Sequence, residues 1–140
     1  MAISKDQVCV LIPTLNEAPT VGTIVREFRQ MGFPHILVMD GNSTDGTRGI
    51  AEREGARVEV QTGKGKGRAL SEAFSLIEQP YILMIDGDGT YDPADAGRLL
   101  APLGEGYDHV IGDRLTEENR HAFSRLNYFG NFILNRLFKT

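Results

Sequence analysis

Two aspartates, Asp86 and Asp88, follow a short apolar run, Tyr81-Ile82-Leu83-Met84-Ile85, within the stretch Asp86-Gly87-Asp88-Gly89. An apolar run without alternation, bounded by turn residues, has the pattern of a strand buried on both faces. While the chain stays extended, residues i and i+2 point to the same side, so the two carboxylates can converge on one point. Like charges that close repel each other unless a cation lies between them. A divalent ion such as Mg²⁺ suits the pair, because it takes one or two carboxylates and fills its other positions with water and substrate phosphates. Taken alone, the four residues are more often a polar turn than a metal site. Their neighbours in the chain change that balance.

Two further stretches carry chemistry. Lys64 and Lys66 alternate with glycines in Thr62-Gly63-Lys64-Gly65-Lys66-Gly67-Arg68, just before a helical pattern. Backbone N–H groups and the helix dipole favour anions at such a place. A lysine ~4 Å from a phosphate oxygen gains about 4 kcal/mol at an effective dielectric near 20, before desolvation is subtracted. The plain alternative is a solvated turn. The loop lacks the spacing of a P-loop, and no GxGxxG follows the first strand, which disfavours a dinucleotide-binding Rossmann domain. Asp40 ends another apolar run and can accept from a base N–H or a ribose hydroxyl. Ser43, Thr44 and Asp45 can instead build a capping turn there. The reading assigns Asp40 to a ligand and Asp45 mainly to loop structure.

The elements that must position these groups follow from periodicity. Strands are expected at Val8–Ile12, ended by Pro13, then at Ile36–Met39, Arg57–Gln61, Tyr81–Ile85 and Asp108–Gly112. Between them lie helical stripes. One comprises Val21, Ile24, Val25, Phe28 and Met31, with Thr20 as N-cap and Gly32 at its end. Another runs to Glu54 and stops at Gly55. A third carries Ala69, Leu70, Ala73, Phe74 and Ile77, and a fourth carries Leu99, Leu100 and Leu103 after Asp92-Pro93. Strands alternating with helices define an α/β fold with a mostly parallel sheet and flanking helices. Right-handed crossovers bring the strand ends to one edge, so Pro13–Glu17, Asp40–Asp45 and Asp86–Asp88 share it.

Composition sets the outer limits. With 140 residues, 41% of them hydrophobic and 24% charged, the chain has the make-up of one soluble globular domain. Cys9 stands alone in an apolar run, which suits a buried small hydrophobe in a reducing compartment. No apolar stretch reaches the length of a membrane span. Residues 114–140 carry five Lys or Arg against two Glu, in a chain of net charge −4. A local excess of positive charge beside an acidic remainder points to an anionic partner.

VLIPTLNEAPTVGTIV, VMDGNSTDGT, GKGKGRAL and LMIDGDGTYDP, in this order and spacing, resemble the nucleotide-binding half of family-2 inverting glycosyltransferases of the GT-A, Rossmann-like fold. The closest resemblance is to polyprenyl-phosphate (dolichyl-phosphate) mannose and glucose synthases, and it spans about residues 7 to 140. It implies that Pro13, Asn16 and Glu17 line a nucleoside pocket and that Asp40 contacts the base. It further implies that Asp86 and Asp88 bind Mg²⁺ or Mn²⁺ and the donor diphosphate, with Asp88 catalytic and Lys66 also on the donor. Gly41 stands where relatives often carry a second Asp, and Thr90 where some carry a Gln ligand.

Further on, Gly112-Asp113-Arg114 resembles the family's GSR. Arg120 and Ser124 resemble residues that hold donor and acceptor phosphates, with Arg125 and Asn127 continuing the pattern. Arg114, Arg120 and Ser124 are thus implied on the acceptor side, Arg114 and Arg120 also in catalysis. The implied division is a nucleotide-sugar-binding part, residues 1–113, and an acceptor-side segment with an amphipathic helix, residues 114–140. The implied partners are a GDP- or UDP-hexose, a polyprenyl phosphate and the cytoplasmic face of a membrane, with no nucleic acid. Phe132, Leu134 and Phe138 lie off the helical stripe of Leu126, Phe129, Ile133 and Leu137, which suits an interfacial helix or a homodimer contact. Relatives usually continue further, so the chain reads as a short member or a fragment. Two other classes stay open. One is a sugar-phosphate nucleotidyltransferase, although Pro13-Thr14-Leu15-Asn16 stands where its glycine-rich basic loop belongs. The other is a non-catalytic nucleotide-binding module.

Overall fold

In the computed structural model of the chain, the description covers residues 2–112, nearly all within one compact unit, Met1–Val110. Eight principal elements follow in order: β1 (Val8–Thr14), α1 (Val21–Gln30), β2 (His35–Asp40), α2 (Thr47–Arg53), β3 (Arg57–Val60), α3 (Lys66–Leu76), β4 (Tyr81–Met84) and α4 (Ala96–Gly104). All strand pairings are parallel, in the order β3-β2-β1-β4. The chain first steps from β1 outward to β3 and then returns to the opposite side of β1. The order therefore reverses between β1 and β4, and ligands of open α/β sheets bind at such a reversal, beyond the carboxyl ends of the strands.

The continuous apolar run of β1 is explained by its two covered faces. Val8, Val10 and Ile12 face one core with α1, α2 and α4, while Cys9 and Leu11 face a second core with Ala69 and Ala73 of α3. Burial pushes the Cys9 thiol up to about 11, so it is an inert core residue at neutral pH. In α1, Val21, Ile24, Val25 and Phe28 are buried, as their spacing requires. Gly32 and Gly55 close the first two helices with φ of 89° and 101°, a region costly for other residues.

Several expectations need correction. Pro13 lies inside β1, paired with Met39, and does not end it. Leu11 O accepts from Ile85 N, so Pro13, two residues on, turns its missing N–H toward the β4 side, where the pairing has already ended at Met84. A proline costs no ladder bond there. The expected strand buried on both faces forms over Tyr81–Met84 only, at the edge of the described sheet, and its face carrying Ile82 and Met84 is open, these being 38% and 48% exposed. An apolar run alone cannot distinguish an edge from a centre. Phe74 is 52% exposed and leaves the buried stripe of α3. Residues 108–112 form no strand, and Ile111 is 78% exposed, because nothing among the described residues pairs with them.

Candidate active site

The loops after β1, β2 and β4 are joined to one another at the strand ends by side-chain hydrogen bonds to backbone. Ser43 Oγ accepts from Asn16 N at 2.8 Å, Thr47 Oγ1 from Glu17 N at 2.9 Å, and Asp45 Oδ2 from Ala18 N at 3.0 Å. Asn16 sits at φ 55°, in the left-handed region that Asn tolerates, and its Oδ1 accepts from Thr44 N at 2.9 Å. Asp45 serves the loop as expected, and its bonds from Thr47 and Ala18 hold its carboxyl below the usual range. Thr20 occupies the N-cap position of α1, but its hydroxyl donates to Gly87 O at 2.5 Å. It thereby ties the start of α1 to the Asp86–Gly89 loop.

Gly87 shows how tightly that loop is set. A Cβ there would lie 2.9 Å from Thr14 Cγ2 and 3.5 Å from Glu17 Cγ. Only a glycine lets the ends of β1 and β4 approach this closely, and that approach brings Asp86 and Asp88 beside Glu17. Asp88 Oδ1 accepts from Thr90 N at 2.9 Å and from Thr90 Oγ1. Thr90 thus supports Asp88.

These loops enclose a cleft of about 500 Å³, a size suited to a small-molecule ligand. Of the residues singled out from sequence, Pro13, Glu17, Lys64, Lys66, Asp86 and Asp88 line it. Asn16 and Asp40 are not among its lining residues. Asp40 is fully buried: its Oδ1 accepts from Thr14 Oγ1 at 2.9 Å and Ser43 Oγ at 2.6 Å, and its Oδ2 from Ser43 N at 2.8 Å. Arg48 Nε lies 3.7 Å from Oδ2. In this structure Asp40 points inward and joins the end of β1 to the loop after β2. Arg114, Arg120 and Ser124 lie outside the described residues, as does the proposed amphipathic helix.

Sequence reasoning missed Thr14, Leu15, Gly41, Asn42 and Gln61, which also line the cleft. Their signal was position alone: each lies at or just beyond the end of a parallel strand. A Cβ on Gly41 would stand 3.2 Å from Thr14 O, so a glycine there permits a close backbone approach.

The charges in the cleft are of both signs. Lys66, the first residue of α3, pairs its Nζ with Asp86 Oδ1. Gly65 precedes it at φ 88°, and no side chain caps the helix, so the first N–H groups of α3 are left to a ligand or solvent. Asp86 and Asp88 fit a hard divalent cation, which needs few protein oxygens and completes its shell with water and phosphate. Among the described residues no cluster of three or more His, Cys, Asp or Glu forms a closed metal cage.

Glu17 is raised above its ordinary pKa, first by partial burial and then by Asp88, Asp45 and Asp86. A carboxyl raised in the folded state binds protons more tightly there than in the unfolded chain. Its contribution to stability is therefore complete below the unfolded value and is lost as pH rises through the folded value. Glu17→Gln removes that loss. The expected result is a higher Tm than wild type at pH 7 in metal-free buffer, with the gain shrinking as pH falls through the Glu17 titration. Thermal unfolding at several pH values checks this; a gain independent of pH would assign the effect to packing.

The parallel α/β domain thus carries an acidic pair, two lysines and a helix N-terminus without a side-chain cap beside its topological switch. A model of glycosyl transferase family 2 matches residues 9–139, and the chain belongs to that family. It is 54% identical over 136 residues to glycosyltransferase AglJ of Haloferax volcanii, covering 96% of this chain and 45% of that protein. It is 33% identical over 134 residues to a dolichyl-phosphate hexose transferase of the same organism, covering 94% and 58%. The chain thus spans about half the length of these curated relatives. Among solved structures it resembles mannosyl-3-phosphoglycerate synthase from Rubrobacter xylanophilus, with a TM-score of 0.63 at 34% identity over 69% of this chain and 35% of that one. It also resembles Mycobacterium tuberculosis glucosyl-3-phosphoglycerate synthase in complex with Mg²⁺ and UDP, with a TM-score of 0.62 at 25% identity over 69% and 38%. The fold is GT-A.

Proposed function

We propose that the chain is the nucleotide-sugar-binding part of a metal-dependent inverting hexosyltransferase whose acceptor is a polyprenyl phosphate. The observation that carries this reading is the cleft at the β1/β4 switch, where Asp86, Asp88, Lys64, Lys66 and the N-terminus of α3 converge. Asp86 and Asp88 would hold Mg²⁺ or Mn²⁺, which when bound neutralises charge on the leaving diphosphate. Lys66 and the free N–H groups of α3 would bind the same diphosphate. Pro13, Glu17, Gly41 and Gln61 would shape the nucleoside end, while Asn16 and Asp40 hold its loops. Supporting the donor, a structural neighbour was crystallised with Mg²⁺ and UDP.

For the acceptor, support comes from the relative named as a dolichyl-phosphate hexose transferase. A lipid phosphate is already anionic at neutral pH and needs no general base to attack the anomeric carbon. Arg114, Arg120 and Ser124 would hold it, and residues 114–140 would meet the cytoplasmic membrane surface or a second copy of the chain. Among the described residues no helix is long and apolar enough to cross a membrane.

A thermal-shift panel of UDP-, GDP- and CDP-sugars with and without Mn²⁺ tests the donor. A ligand at 100 times its Kd stabilises by about 2.7 kcal/mol. One base is expected to raise Tm only with the metal. No metal-dependent shift with any base would overturn the reading. Transfer to polyprenyl phosphate, compared with 3-phosphoglycerate, tests the acceptor; transfer to the latter alone would replace the lipid.

A further inference from the structure

Among the described residues, the cation that touches Asp86 is the Lys66 ammonium. That carboxylate is the one the proposed function assigns to a divalent ion, and the inference rests on that reading. The two side chains are 54% and 21% exposed, so the pair lies at the cleft surface with room for the lysine to swing away. The other cations of the loop are placed differently. Arg68 Nε pairs with Glu72 Oε1 at 2.9 Å, and Glu72 also accepts from Thr62 N and Oγ1. Those bonds hold the Glu72 carboxyl down at about 2, so it keeps its charge and its arginine. Lys64 lines the cleft and has no ion pair among the described residues.

We propose that Lys66 and the divalent cation compete for Asp86: the ion displaces the ammonium, which is then free to reach the donor diphosphate. One side chain thereby lowers the affinity of the site for the metal alone and raises its affinity for the metal with nucleoside diphosphate. A lysine suits such an exchange, being a compact charge on a flexible stem that is not locked in a bidentate fork. A partly exposed pair is also weak enough for a divalent ion to break.

Titration of Mn²⁺ alone into the protein, followed by electron paramagnetic resonance of the free ion, reads the first half. Lys66→Met is expected to bind Mn²⁺ about two- to fivefold more tightly than wild type, the range set by a surface ion pair. Lys64→Met removes the same charge from the same loop without breaking an ion pair, and its shift should be clearly smaller. At saturating Mn²⁺, calorimetry with UDP and GDP should show the opposite sign, with weaker nucleotide binding by Lys66→Met. Mn²⁺ affinity in Lys66→Met equal to wild type, or no higher than in Lys64→Met, overturns the competition while leaving the donor site standing. Mn²⁺ binding that survives Asp86→Asn unchanged places the ion elsewhere and overturns both.

Discussion

Asp88→Asn is expected to abolish metal-dependent binding of a nucleoside diphosphate without disturbing the fold. Asp88 Oδ1 accepts from Thr90 N at 2.9 Å and from Thr90 Oγ1. Asn keeps one oxygen for these bonds, so the loop after β4 retains its support while the charge is lost. A neutral amide is a poor partner for a hard divalent ion, which prefers carboxylate oxygen. Groups that merely orient a metal ligand typically cost 10- to 100-fold in affinity when mutated, so loss of a ligand should cost on the order of 100-fold or more. Calorimetry with UDP and GDP in Mn²⁺ measures the loss, and thermal unfolding without ligand should stay within about 2 °C of wild type, as surface changes usually do. Undiminished binding in the variant, or wild-type binding that persists in a chelator, would sink the metal assignment.

Asp40→Ala is expected to act on stability first. The residue is fully buried, and its carboxylate accepts from Thr14 Oγ1, Ser43 N and Ser43 Oγ. Truncation leaves three donors facing a cavity, and each unsatisfied buried group costs about 1–3 kcal/mol. Relaxation and entry of water offset part of this, so a net loss of about 3 kcal/mol is expected, or on the order of 10 °C in Tm. The same bonds fix the junction of the β1 and β2 loops, so nucleotide binding should weaken with the fold. Asp40→Asn retains an acceptor and should fall between wild type and Ala. Thermal unfolding decides. An unchanged Tm with lost nucleotide affinity would return Asp40 to the role of a base contact that its place at a strand end first suggested.

The two variants show what could be read along the chain and what could not. Strand and helix alternation was legible because short apolar runs and the helical period of about 3.6 are local signals, and it was enough for a parallel sheet with its polar loops on one edge. The acidic pair was legible because Asp86 and Asp88 are close in sequence and end an apolar run. Asp40 also ends an apolar run, yet it points inward. Its partner Thr14 is the last residue of β1 and Ser43 lies in the loop after β2, and only the parallel pairing of β1 with β2 sets Thr14 beside Asp40. Asn16 is assigned to the pocket only through the family resemblance; its backbone has a φ of 55° and its Oδ1 accepts from Thr44 N. The exposed side of β4 was hidden because burial of an apolar run depends on what packs against it.

By itself the sequence determined the α/β class, the loops that meet at the strand ends and the acidic and basic groups among them, since these follow from local pattern and spacing. Tertiary structure alone decided that the strand order reverses between β1 and β4, that Asp40 holds loops together, and that Lys66 rests on Asp86. Each of these depends on residues 20 or more positions apart being brought into contact. The direction of a side chain at a strand end is set by whichever hydrogen-bond partners the neighbouring crossover delivers.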